Sequence, residues 1–176
     1  MSQYLLHTDK MAVGYDHRLL IEGIEIGVER GEILTLIGPN GAGKSTILKS
    51  LTRQLELLGG KVFFLDRDMA KMSGNELART MALVTTERIQ TEMMNCLEVV
   101  SMGRYPYTGR LGILTPEDHE KAGKALSMVN GSGLAEKDFM QISDGQRQRV
   151  MLARALCQEP DVIVLDEPTS FFRYSL

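Results

Sequence analysis

Hydrophobic and polar positions change their spacing several times along this chain, and each change marks an element. In the first segment the apolar residues come in short runs, 11–13 and 19–28, interrupted by Gly14, Gly23, Gly27 and Gly31. Short runs punctuated by glycine predict short antiparallel strands. Residues 32–37 are apolar and partly β-branched and predict another strand. The chain then turns through glycines and resumes with helical spacing at Ile47, Leu48 and Leu51, giving strand, loop and helix. Gly59 and Gly60 end that unit. Residues 61–65 read as a strand, 73–80 as a short helix, and 81–84 as the strand it leads into.

From about residue 91 to 140 the β-branched runs thin out, and methionines and helical patterns take over, which predicts a helical insertion. Within it Thr115 can accept a bond from an orphan amide and Pro116 fits a first turn, with Glu117 and Asp118 following. That helix should run to about Val129 and stop near Asn130 and Gly131. Ser143 and Gln146 have the spacing of a capping box, so a further helix starts there and ends before Pro160. Val162, Ile163, Val164 and Leu165 form the continuous apolar run expected of a strand buried on both faces of a parallel sheet. The reading is an α/β core interrupted by a helical subdomain.

Composition narrows the function classes. With 176 residues, 43% hydrophobic and 24% charged, the chain suits a soluble globular protein of a single domain or a domain with a small insertion. A formal net charge of −3 without a Lys/Arg block argues against a broad nucleic-acid footprint. Cys96 and Cys157 stand far apart without a Cys-x-x-Cys spacing, which fits a reduced cytosolic protein. The first residues lack a secretory pattern, and no apolar run approaches membrane-spanning length. His7, His17 and His119 lack paired ligand spacing, so no zinc site is expected.

The chemistry concentrates in two places. Gly38, Pro39, Asn40, Gly41, Ala42, Gly43, Lys44 and Ser45 match G-x-x-x-x-G-K-[ST], between a predicted strand and a predicted helix. Glycines there let backbone amides aim at phosphate oxygens, with Lys44 reaching the β- and γ-phosphates and Ser45 offering a hydroxyl to Mg²⁺. Asp166 and Glu167 end the last apolar run, which puts carboxylates at the carboxyl edge of a sheet, where ligands gather.

Between these motifs stand Ile142, Ser143, Asp144, Gly145 and Gln146, followed by RQRVMLARAL and VIVLDEPTS. The whole stretch 141–170 resembles the signature region of the ATP-binding cassette family. That resemblance implies a P-loop NTPase with a RecA-like parallel sheet core, an N-terminal antiparallel β subdomain and a helical, signature-bearing insertion. It further implies one incomplete domain over 1–176: β subdomain and P-loop core in 1–90, helical subdomain in 91–145, and return to the core in 146–176. ATP and Mg²⁺ would be the ligands, with Thr46 adding a phosphate contact, Tyr15 stacking on adenine, and Asp166 holding Mg²⁺ through water. Glu167 would polarise the attacking water. Ser143, Gly145 and Gln146 would contact the γ-phosphate of ATP bound by the other subunit of a homodimer.

Three departures from the family pattern stand out. Asp144 replaces the commoner glycine, and a carboxylate beside a triphosphate is unfavourable, so it is expected to face away. Thr85, Thr86 and Glu87 occupy the region where the family places a sensor glutamine; Thr86, Glu87 and Gln90 are the candidates. After Glu167 the sequence reads PTSFFRYSL, so roughly the last third of the usual module is expected to be missing, and Phe171, Phe172 and Tyr174 suggest apolar surface that had a partner.

Gly103, Arg104, Tyr105 and Pro106, followed by the Thr115 helix start, resemble importer ATPases serving iron–siderophore, haem or corrinoid uptake. The implied function is the ATP-binding and ATP-hydrolysing subunit of an importer of an iron complex. It would be cytoplasmic, peripheral on the inner membrane face, and bound to integral permease subunits, with a substrate-binding protein reached only indirectly and no nucleic acid. The alternatives are a truncated, inactive nucleotide-binding remnant and a soluble non-transport member of the family. Met93, Met94, Met102 and Met128 suit either a helical core or an adaptable permease contact.

Overall fold

Strand β1 (Leu6–Tyr15) is the spine of the first half, and its burial changes phase along its length. Leu6 and Thr8 point inward, then Met11 and Val13. The switch falls at Lys10, whose φ of 45° accompanies a break in register between Asp9 and Ala12, as a bulge requires. In the computed structural model, which describes residues 3–85, 91, 93–109 and 111–166, the chain divides into two units, Met1–Leu77 and Ala78–Leu176.

In the first unit β1 pairs antiparallel with β2 (Arg18–Ile24), β3 (Gly27–Val28) and β4 (Gly59–Phe64), and β4 pairs with β5 (Arg67–Asp68). The antiparallel expectation is met: β1 is longer than the run 11–13, whereas the run 19–28 is divided between β2 and β3. Asp16 and His17 join β1 to β2 with φ of 47° and 62°, the two positive values a two-residue hairpin turn needs to match strand twist. Helix α1 (Lys44–Leu51) buries Thr46, Ser50 and Leu51. Past its end, Arg53 donates from Nη1 to the carbonyls of Met69 (3.0 Å) and Met72 (2.7 Å), fixing the 3-10 turn Met69–Lys71.

Residues 32–37 correct the sequence reading: they form no strand. Ile33 and Ile37 are each 91% exposed. A β conformation persists only through a neighbouring ladder, and among the described residues no strand pairs with this segment, so its apolar run does not decide its structure.

The second unit is organised by helices. Helix α2 (Gly74–Thr80), capped by Ser73 and Glu76, begins in the first unit's residues and leads into β6 (Met81–Val84) of the second. Helices α3 (Cys96–Ser101), α4 (Pro116–Met128) and α5 (Asp144–Cys157) enclose a core that includes Val99, Val100, Leu126, Phe139, Val150 and Cys157. Helix α4 starts where expected, with Thr115 and Asp118 completing a capping box. It ends in a Schellman arrangement: Gly131 N–H donates to Leu126 O (2.9 Å), and Asn130 N–H to Ser127 O (3.0 Å), with Asn130 at φ 54°. Residues 102–107 form a 3-10 segment. Met94 packs against the helical core, whereas Met93 and Met128 are exposed.

Strand β7 (Val162–Leu165) pairs parallel with β6 from Met81↔Val162 to Val84↔Leu165, and Ala155 of α5 covers Ala82 and Val84. Burial on both faces is not observed: Val164 is buried, but Ile163 is 37% exposed. Among the described residues β6 is the only strand beside β7, and one helix covers only one face.

Candidate functional site

Loop 38–45 follows from its glycines. Gly43 is the N-cap of α1 at φ 85°, and a Cβ there would lie 2.8 Å from Ile21 Cδ1. The left-handed φ is what calls for glycine, since the Ile21 side-chain tip can shift aside. Ala42 N–H donates to Pro39 O (3.3 Å) across the turn at Asn40 and Gly41, and Gly38 through Ala42 are solvent-exposed. Lys44 folds back over the loop, its Nζ donating to Gly38 O and Pro39 O at 2.8 Å each.

The start of α1 is open to an anion. It has no side-chain cap and no acidic residue in its first turn. Its first amides therefore lack the side-chain acceptor that usually satisfies them, while the helix dipole favours negative charge at that point. Uncapped amides of this kind bind phosphate oxygens, and Ser45 in the same turn carries a hard oxygen of the type Mg²⁺ takes as a ligand. The Tyr15 ring is 48% exposed at the end of β1, with its hydroxyl 3.1 Å from Thr46 Oγ1.

In the second unit the signature residues sit at the start of α5. Ser143 is the N-cap: its Oγ accepts from Gln146 N–H (3.3 Å), while its own N–H donates to Gln146 Oε1 (3.0 Å). This box consumes two donors but leaves the Ser143 hydroxyl proton and the Gln146 Nε2 hydrogens as the donors a ligand can use. Gly145 lies within the same first turn. Asp144 turns along its own helix, accepting from Arg147 Nη1 at 2.8 Å. Arg147 also donates from Nη2 to Met140 O (3.3 Å) and Ile142 O (3.4 Å), tying the preceding loop to the helix.

Asp166 continues the ladder past β7 through its N–H to Val84 O (3.0 Å), which puts its carboxylate at the carboxyl end of the parallel pair. Glu167, Thr86, Glu87, Gln90, Phe171, Phe172 and Tyr174 lie outside the described residues.

Arg104, singled out in sequence for its resemblance to importers, is a buried tie. At 3% exposure its Nε donates to Asp118 Oδ1 (3.0 Å), and its Nη1 to Cys157 O (3.0 Å) and Glu159 Oε2 (2.9 Å). Its guanidinium also lies 3.9 Å from the Tyr107 ring centroid. The Thr115 amide and hydroxyl, then Arg104, hold the Asp118 carboxyl down at about 2. Gly103 lets this turn approach α5, since a Cβ there would be 2.4 Å from Arg154 O. Burial raises the Cys157 thiol to about 11, so it is a poor nucleophile. Nothing in the sequence marks Arg104 as buried; its partners are 14, 53 and 55 positions away.

This chain is similar to known proteins in sequence and in fold. Over 167 residues the chain is 45% identical to an uncharacterized ABC transporter ATP-binding protein of Methanocaldococcus jannaschii, covering 95% of this chain and 58% of that protein. It is 37% identical to the iron(3+)-hydroxamate import ATP-binding protein of Bacillus subtilis, covering 94% of this chain and 62% of that one. The chain thus spans about 60% of the length of these relatives. A crystal structure of the ADP conformation of an ATP-binding cassette of an ABC transporter superposes with a TM-score of 0.82 at 27% identity, covering 99% of this chain and 72% of the other. With residues 21–170 matching the ABC transporter family model, and with the P-loop and the capped signature helix both in place, this chain belongs to the ABC transporter family.

Proposed function

We propose that this chain is the nucleotide-binding part of an importer subunit that hydrolyses MgATP to drive uptake of an iron complex, such as a siderophore or haem. The observation that carries the reading is the uncapped, acid-free start of α1 behind the glycine loop, with Lys44 poised over it. On this reading the incoming triphosphate takes Lys44 from the Gly38 and Pro39 carbonyls, and the loop amides take the phosphate oxygens. Ser45 and Asp166 hold the Mg²⁺ of the substrate, and Glu167 polarises the attacking water. Tyr15 supports the adenine ring.

The second half-site comes from another copy. Ser143 Oγ, the Gly145 backbone and Gln146 Nε2 meet the γ-phosphate held by the partner's loop, so two copies would close on two nucleotides. That closure would move permease subunits from the cytoplasmic side. Among the described residues no helix is long and apolar enough to cross a membrane, and permease subunits would supply the membrane passage. The iron-complex cargo rests on the hydroxamate-import relative and on the run Gly103, Arg104, Tyr105 and Pro106.

A second reading, a nucleotide-binding remnant without turnover, is favoured by one observation: among the described residues, no strand pairs with residues 32–37, which lead into the loop. One assay separates the two. The intact protein should hydrolyse MgATP, and Glu167→Gln should abolish turnover while ATP still binds. ATP binding without hydrolysis by the wild-type protein would establish the remnant instead.

A further inference from the structure

Tyr15 and Thr46 stand 31 positions apart, yet the phenol oxygen lies 3.1 Å from Thr46 Oγ1. A ring that served only to stack on a base would have no use for this contact. Thr46 is 4% exposed in the first turn of α1, and among the described residues its hydroxyl has no other partner.

Either hydroxyl can donate in this bond, and relative acidity favours one direction. A phenol is the stronger acid of the two hydroxyls, which favours Tyr15 as donor and Thr46 Oγ1 as acceptor. The threonine proton then has no acceptor in a buried position, which is costly unless something else supplies one. An anion seated on the loop amides one turn away is such an acceptor. A hydroxyl that accepts from a phenol also becomes a better donor in turn, because bonds in a chain polarise one another.

We infer that Tyr15 is a positioning residue as well as a base platform: its hydroxyl orients the Thr46 hydroxyl so that the proton of Thr46 is directed to the phosphate chain of the nucleotide. The hairpin turn at Asp16 and His17 fixes where the Tyr15 side chain leaves β1, so the contact is built into the fold. The inference rests on the nucleotide reading of loop 38–45.

Inorganic tripolyphosphate tests it, because it has the phosphates and no base. Affinity of the intact protein for tripolyphosphate and for ATP is measured by calorimetry in wild type, Tyr15→Phe, Thr46→Val and the double variant. Phenylalanine keeps the ring, so a purely stacking role leaves tripolyphosphate affinity unchanged. The positioning role instead predicts a loss of about threefold to tenfold in Tyr15→Phe, and no further loss when it is added to Thr46→Val. Unchanged tripolyphosphate binding in Tyr15→Phe overturns the inference while wild-type binding of ATP keeps the nucleotide reading. An equal loss in the Thr46→Val background also overturns it, since the effect would then be general distortion. If wild type binds neither ligand, the nucleotide reading falls and the inference with it.

Discussion

The starts of α1 and α5 are opposite solutions to the same problem. Each exposes amides that the helix cannot satisfy itself. At α5 the chain satisfies them with Ser143 and Gln146 in a reciprocal box, and it places Asp144 in the first turn. At α1 a glycine stands where the cap would be, the first turn has no acid, and the nearby lysine is held by loop carbonyls. Helix α5 is stable as it stands and offers a ligand only a serine proton and an amide side chain. Helix α1 keeps its strongest anion-binding groups in reserve. On the nucleotide reading proposed above, the difference suits the first to primary phosphate binding and the second to an accessory contact.

The contrast extends to the far end of α5, where Arg104 donates to Cys157 O while paired with Asp118. Arg104→Ala leaves a buried carboxylate without its charge partner and should destabilise the second unit by about 3 kcal/mol or more. Denaturant unfolding measures this. An effect under about 1 kcal/mol would mean that α5 is not held at both ends by its own chain.

Acid should loosen the same contact. The Asp118 carboxyl is lowered from an ordinary 3.8 to about 2 in the folded chain. A depressed carboxyl contributes stability above its unfolded value, and that contribution is lost as pH falls through the folded one. The Asp118 part of the loss therefore lies between about pH 4 and pH 2, amounts to about 2 kcal/mol, and should be missing in Asp118→Asn, which keeps the loss from Glu76, a carboxyl also lowered to about 2. Thermal unfolding across that range checks it, and a comparable loss between pH 5 and 7 would contradict it.

A smaller change separates cap from ligand contact at Ser143. Ser143→Ala should cost about 1 kcal/mol of stability and also lower turnover, whereas Ser143→Asp preserves the cap but sets a charge against the incoming phosphate. Wild-type stability with lost turnover in Ser143→Asp is the expected result. Wild-type turnover would remove Ser143 from the shared site.

What could be read from the sequence divides along the same line. Helices α4 and α5 were legible because their caps are local: Thr115 with Asp118 and Ser143 with Gln146 each act across three positions. The glycine loop was legible for the same reason. Residues 32–37 were not, because an apolar run becomes a strand only when a distant segment pairs with it. The contacts of Arg104 and of the Tyr15 hydroxyl were also hidden, since each depends on partners that the fold, not the spacing, brings close.

The most direct test of the contrast is ATP affinity of the monomeric intact protein, measured by titration calorimetry in wild type, Lys44→Ala and Ser143→Ala. Losing a charge-assisted contact to phosphate should weaken Lys44→Ala by about 100-fold, while Ser143→Ala binds within about twofold of wild type. Equal losses in the two variants, or wild-type affinity in Lys44→Ala, would contradict the assignment of α1 as the primary phosphate site.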